Sequence, residues 1–308
     1  MLALEEEPRL SPERDMHGRS LYQSFLPAAA PARALVWKYS PDYHRPRHFH
    51  DEPELNLIVA GSAIFGLGKR VVRAERGQLL GFPAGQDHAL LEASADLRLF
   101  AIGMDSLFST QVLGADRHAV TSPLHIQVGS ANFNALVSRT SAVVDREAVD
   151  QPVAELWEHI HWLRLKHWNQ ANGSMHVLTR RTLSALYDAP YLGREQLALQ
   201  LRASPSEVSR YFQRDVGMTL AQYRTRLRLL RFIRSVDEQT CNLTRAAVSA
   251  GFGSYSQCHR VFQAEFGCAP RDFFSSGLRQ RMQSTYVPSP LPGHPTGGER
   301  SDTRSAPG

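Results

Sequence analysis

Apolar residues in the first third of the chain come in short runs, alternating or wholly apolar, that turn residues break. Ala34–Tyr39, Glu54–Ala60, Ala63–Leu67, Lys69–Ala74, Gln78–Phe82, His88–Leu91 and Leu97–Gly103 read as strands, separated by Gly61-Ser62, Pro83-Ala84-Gly85 and similar breaks. Many short, evenly spaced strands predict a barrel or sandwich. The period then changes. In Val153–Trp168, the residues Leu156, Trp157, Ile160, Leu163 and Trp168 recur mainly at helical spacings. That stripe serves either packing against the strands or a seam between two copies. Helical spacing continues through Gln196–Leu201, Leu220–Val236 and Leu243–Ala250. It also marks two helices whose apolar faces are Val208, Tyr211, Phe212 and Cys258, Val261, Phe262.

Those last two helices belong to an internal repeat. Ser204, Ser206, Arg210, Phe212, Gln213 and Gly217 recur fifty residues later as Ser254, Ser256, Arg260, Phe262, Gln263 and Gly267. Ser204 with Glu207 reads as a capping box, with Pro205 at the first helical position, and Ser254 with Gln257 repeats the box. Gly217 and Gly267 stand where helices end. Each copy follows a short apolar helix and a turn, Arg202-Ala203 in the first and Gly251-Phe252-Gly253 in the second. Helix, short turn, helix is the arrangement that places a second helix in the DNA major groove. Leu220–Val236 would fix the spacing of the two copies.

Charge points the same way. Residues 175–283 contain sixteen arginines, no lysine and eight acidic residues, a net +8, whereas the whole chain is +5. The basic excess therefore lies on the duplicated module, as binding to double-stranded DNA requires. The competing account is a solvated arginine face on a helical domain.

The C-terminal region resembles the AraC/XylS family of bacterial transcription regulators over about 195–274. The resemblance is carried by Val208-Ser209-Arg210-Tyr211-Phe212, Gly217-Met218-Thr219-Leu220-Ala221-Gln222-Tyr223, Arg226-Leu227-Arg228-Leu229, Gly251-Phe252, Arg260-Val261-Phe262, Phe266-Gly267 and Pro270. The family usually has alanine where Phe232 stands, isoleucine where Ala246 stands, and often Tyr-Phe at Gln257-Cys258. The resemblance implies base contacts from Ser206, Ser209, Arg210, Ser256, His259 and Arg260, with Gln213 and Gln257 beside them. Arginine can grip two acceptors on one guanine edge, while serines read weakly. Two recognition helices would enter successive major-groove faces roughly 34–36 Å apart. The same resemblance implies a homodimer, and RNA polymerase as a further partner.

The N-terminal half carries a second pattern: His48-Phe49-His50, Glu54 and Gly61, then Gly77, Pro83, Gly85 and His88. This resembles the two motifs of the cupin family, a small β-barrel. Residues two apart on a strand share a face, so His48 and His50 point inward together. Glu54 and His88 would join them from neighbouring strands. Three imidazoles and a carboxylate suit a divalent transition metal, although no cofactor is fixed by the sequence. The other occupant is a small-molecule effector, since sensor domains of this regulator family retain such histidines without metal. Enzymatic cupins often carry asparagine where Glu92 stands.

Together these readings give an α+β multidomain protein. A loose arm (1–23) precedes a cupin-like β-barrel sensor (24–128), a helical linker and dimerisation region (129–175), an all-α tandem helix-turn-helix domain (176–283) and a Pro- and Gly-rich tail (284–308). The expected function is sequence-specific transcription regulation responsive to a small molecule or metal. The alternative is a metal-dependent cupin enzyme with an accessory DNA-binding domain. No apolar run reaches bilayer-spanning length, and the glutamate-rich N-terminus is not a secretory signal, so a cytoplasmic protein without membrane attachment is expected. Cys241, Cys258 and Cys268 form no metal spacing, and Cys258 reads as core.

Overall fold

The computed structural model describes residues 21–26, 33–40, 46–113, 123–144, 150–166, 175–238 and 242–275. The arm up to residue 20, Trp168, Cys241 and the proline-rich tail lie outside them.

The N-terminal half contains ten strands among the described residues: β1 (Leu21–Tyr22), β2 (Ala34–Lys38), β3 (His48–Phe49), β4 (Glu54–Ala60), β5 (Ser62–Leu67), β6 (Arg70–Glu75), β7 (Gln78–Phe82), β8 (His88–Ala93), β9 (Arg98–Met104) and β10 (Leu124–Gln127). They pair as two five-stranded sheets, β1-β3-β8-β5-β6 and β10-β7-β4-β9-β2. The expected barrel is thus two facing sheets, with no closed ring of strands among the described residues. The facing apolar sides share one core, in which Ile58 and Leu80 of one sheet cluster with Phe65 and Ala74 of the other. Every strand read from the sequence is present. β1, β3 and β10 were not anticipated, because two to four residues are too few to display a period. β1 also lies within the stretch expected to be a loose arm.

Helices α1 (Ser106–Leu113), α2 (Ser130–Ser141) and α3 (Asp150–Lys166) follow. The stripe on α3 packs on the β10-β7-β4-β9-β2 sheet: Leu156, Trp157, Ile160 and Leu163 share one core with Leu57, Leu79 and Ile102. Trp162 and Leu165 on its other face are about half exposed.

The C-terminal half is helical: α4 (Val177–Asp188), α5 (Arg194–Leu201), α6 (Pro205–Val216), α7 (Leu220–Glu238), α8 (Leu243–Ser249), α9 (Tyr255–Phe266) and α10 (Pro270–Ser275). The repeat holds in three dimensions. α6 starts on Ser204 and stops on Gly217 with φ 77°, while α9 starts on Ser254 and stops on Gly267 with φ 78°. Phe212 and Phe262 are both fully buried. The caps differ. Ser204 Oγ accepts from Glu207 N at 3.2 Å and Glu207 Oε2 accepts from Ser204 N at 3.0 Å, closing the first box. In the second copy Ser254 Oγ accepts from Gln257 N, but Gln257 Oε1 reaches past the cap to Gly253 N at 2.9 Å. Half of the expected second box is therefore missing. Two of the three departures from the family pattern share one core, where bulky Phe232 and small Ala246 are both fully buried.

Candidate functional site

His48, His50, Glu54 and His88 converge. One ligand atom from each lies within 4.8 Å of all the others, and all four residues are buried. Their elements explain the meeting. β3 pairs antiparallel with β8 so that His48 stands directly opposite His88. His50 follows at the end of β3. Glu54 opens β4 of the opposing sheet, so the fourth member crosses the sandwich and does not come from an adjacent strand as expected.

The hydrogen bonds orient the donors. Nδ1 of His48 lies 2.9 Å from Pro46 O, Nδ1 of His50 lies 2.7 Å from Glu52 O, and Nδ1 of His88 lies 3.0 Å from Gln86 O. A carbonyl only accepts, so each Nδ1 carries the proton and each Nε2 presents a lone pair to the cluster. His50 Nε2 is 3.1 Å and His88 Nε2 3.4 Å from Glu54 Oε2. Asn56 Nδ2 donates to Glu54 Oε1 at 2.7 Å and fixes the carboxylate plane. Burial alone would raise the Glu54 pKa, but positive charge and hydrogen bonds from His88 and His50, when each also carries a proton on Nε2, outweigh it and hold the carboxyl well below its ordinary value. Two atoms each about 2.1 Å from one ion stand about 3.0–3.4 Å apart at octahedral or tetrahedral angles, so the two separations at Glu54 suit a divalent transition metal, while the set as a whole, spread within 4.8 Å, would contract onto it.

Several residues around this centre gave no sequence signal. Asn56 is one. Gln23, in register with His50 one residue beyond the β1–β3 pairing, is buried, and its side-chain amide has no hydrogen-bond partner among the described residues. Asp87, beside His88, binds Arg47 Nη1 at 2.9 Å and lies 3.3 Å from Arg226 Nη1 of α7. An Asp or Arg in isolation looks like any other surface charge, and only the fold pairs these groups.

On the helical side, Ser206, Arg210, Gln213, Ser256, Gln257 and Arg260 are exposed, and Ser209 and His259 are partly so. Arg210 rests over the Tyr211 ring at 4.9 Å. Among the described residues neither Arg210 nor Arg260 forms an ion pair. The linker arginines behave otherwise. Arg224, Arg228 and Arg231 donate to the carbonyls of Tyr191, Pro190 and Asp188, at the end of α4 and just after it, at 2.9–3.2 Å. Burial lowers the pKa of all three. Arg226 and Arg234 pair with acids of the sensor, Asp87 and Asp51. Much of the arginine excess on α7 thus holds the protein together and is not offered to phosphate. The thiol of Cys258 is buried in the core, as its spacing indicated, and burial pushes it up to about 12.

The two halves are tightly joined. Lys69 N donates to Gly217 O at 2.9 Å, and a Cβ on Gly217 would meet Leu67 O at 2.3 Å. The residue that ends α6 must therefore be glycine for its contact with the β5–β6 turn as well as for its φ. Tyr223 Oη donates to Ala84 O at 2.9 Å, and Gln86 Nε2 donates to Val216 O at 3.2 Å.

A sandwich with a buried ligand centre, docked on a tandem helix-turn-helix, defines a regulator with a sensing half and a reading half. Residues 31–163 match the AraC-like ligand binding domain, and residues 197–276 match a helix-turn-helix domain. The chain belongs to the AraC family of transcription regulators. It is similar to the HTH-type transcriptional activator RhaR of Mannheimia succiniciproducens, 23% identical over 287 residues, covering 85% of this chain and 98% of the relative. Among solved structures it is similar to ToxT from Vibrio cholerae, with a TM-score of 0.43, 14% identity, and coverage of 82% of this chain and 98% of that one. It is also similar to the AraC-like transcriptional activator CuxR, with a TM-score of 0.27, 14% identity, and coverage of 66% of this chain and 74% of that one. No helix among the described residues is long and apolar enough to cross a membrane.

Proposed function

We propose that this regulator reads double-stranded DNA through the exposed faces of α6 and α9, and that a divalent transition-metal ion held by His48, His50, Glu54 and His88 governs that reading. The observation that carries the metal assignment is the hydrogen bonding of the three imidazoles. With every Nδ1–H engaged by a carbonyl, three Nε2 lone pairs and a carboxylate face one another without a proton donor among them. Such a set is stable when a cation or added protons sit between its members. A bound ion would supply charge and would fix the relative positions of β3, β8 and β4. Base contacts come from Arg210 and Arg260, with Ser206, Ser209, Gln213, Ser256, Gln257 and His259 around them. A second copy docks on the outer face of α3 around Trp162 and Leu165. The protein works in the cytoplasm, where its DNA is.

Elemental analysis of the purified full chain, with fluorescence anisotropy on a duplex recovered by in-vitro selection, tests this reading. Stoichiometric metal and metal-dependent DNA affinity are expected. The double variant His48→Ala with His50→Ala is expected to lose the metal response and keep metal-free DNA binding. A chain that takes up no metal removes the metal assignment, and turnover of a small molecule by the metal-loaded chain would favour the enzyme alternative.

A further inference from the structure

We propose that occupancy of the histidine centre positions the second helix-turn-helix, because each of the three histidines has a sequence neighbour that holds that head. The inference rests on the functional reading above and adds the route of regulation.

The first link is Phe49, between His48 and His50. Strand alternation sends the two histidines toward Glu54 and Phe49 out of the opposite face. There Phe49 is fully buried, 6.1 Å from the Phe266 ring of α9, with the Arg226 guanidinium 4.4 Å above it. Tyr22 of the paired β1 leaves on the same side and lies 5.4 Å from Phe266 and 6.0 Å from Phe273. Two sensor aromatics therefore complete the core of the second head. The second link is Asp51, next to His50, which forms an ion pair with Arg234 of α7. The third is Asp87, next to His88. Arg226 bridges Asp87 Oδ1 at 3.3 Å to Glu265 Oε1 of α9 at 2.9 Å.

The first head is held differently. Two of its contacts, Lys69 N to Gly217 O and Arg70 Nη1 to Asp215 O, come from the β5–β6 turn, which carries no ligand. Only hydrogen bonds join it to the loop before His88, from Gln86 Nε2 to Val216 O and from Tyr223 Oη to Ala84 O, and no sensor side chain enters its apolar core among the described residues. Drawing His48, His50 and His88 onto an ion moves short backbone segments whose outward side chains are packed into the second head. Close-packed interiors transmit such shifts and do not absorb them.

The test uses the full chain, Co(II) as probe and the selected duplex. Co(II) is expected to change duplex affinity by about 5–150-fold, and the duplex to change Co(II) affinity by the same factor. Arg260→Ala is expected to remove that factor, whereas Arg210→Ala lowers affinity overall and leaves the factor in place. Phe49→Leu and Asp87→Asn are expected to bind Co(II) with an unchanged absorption spectrum while the factor falls toward one. Retention of the wild-type factor in both variants overturns the proposal, as does loss of the factor in Arg210→Ala with its survival in Arg260→Ala. Hydrogen exchange of the wild-type chain is independent of how the variants fold. Co(II) is expected to alter protection across 255–275 more than across 205–216, and the reverse order overturns the proposal. Failure to bind Co(II) at all overturns the functional reading itself, whereas binding with a factor of one keeps the metal site and removes the relay.

Discussion

The two reading heads are copies in sequence and unequal in structure. The first closes its core with residues of its own domain, among them Leu183, Leu197, Phe212 and Tyr223. The second includes Tyr22 and Phe49 of the sensor in its core. Duplicated positions have also diverged in use. Asp215 accepts from His176 N at 2.8 Å and from Thr179 Oγ1 at 2.6 Å, capping α4 within the first head. Its counterpart Glu265 binds Arg226, which binds the sensor. The apolar core of one head is thus built from its own domain, and that of the other is completed from outside. Duplication supplied two similar scaffolds, and docking on the sensor drew sensor side chains into the core of only the second among the described residues.

The largest effects should come from the cores. Phe212→Ala is expected to cost about 3–5 kcal/mol, confined to the first head, whereas Phe49→Ala should cost a similar amount and open the second head although the residue lies in the sensor. Hydrogen exchange on α6 and α9 checks both. Loss of protection in α6 on Phe49→Ala would erase the distinction. Base reading comes next. Arg210→Ala and Arg260→Ala should each weaken duplex binding by about 1–3 kcal/mol, measured by anisotropy, and unchanged binding in both would remove α6 and α9 as reading helices. The guanidinium of Arg210 is propped on Tyr211, and position 261 offers Arg260 only a valine, so Arg260→Lys should be the milder of the two lysine exchanges.

The caps give a smaller contrast. Ser204→Ala should cost about 1 kcal/mol in thermal unfolding and Ser254→Ala less, because only the first box has both of its bonds. Equal costs would mean that the reciprocal bond contributes nothing. The smallest effect is one of pH. Burial raises the Asp215 pKa, but Arg214, Thr179 and the His176 amide outweigh it and the net shift is downward. A carboxylate with a depressed folded pKa stabilises above its unfolded value, and that stability is lost as pH falls below about 4. Acid should therefore loosen α4 from α6 in the first head, and Asp215→Asn should flatten the acid limb of its unfolding curve.

Much of this was legible in the chain. The fifty-residue offset, the serine and glycine helix ends and the helical apolar spacing are local facts of covalent order, and the folded helices follow them closely. The His48-Phe49-His50 alternation likewise foretold two inward imidazoles. Three things were not legible. β1 and β3 are two residues each, too short to carry a period. Glu54 reaches the histidines from the opposite sheet, and which sheet a strand joins depends on pairings distant in sequence. The arginines of α7 are part of the basic excess assigned to DNA, and their protein partners were not foretold, because charge in a sequence carries no sign of what it will face.

The order of residues by itself determined the elements, the duplication and the donor set, since propensity, capping and side-chain period act over a few residues. The folded chain decided the partnerships: which carboxylate meets which imidazole, which arginines are left for DNA, and which head borrows its core from the sensor. Those depend on atoms brought together from 30 to more than 200 residues apart, such as Glu54 with His88 and Tyr22 with Phe266, and no local pattern encodes such encounters.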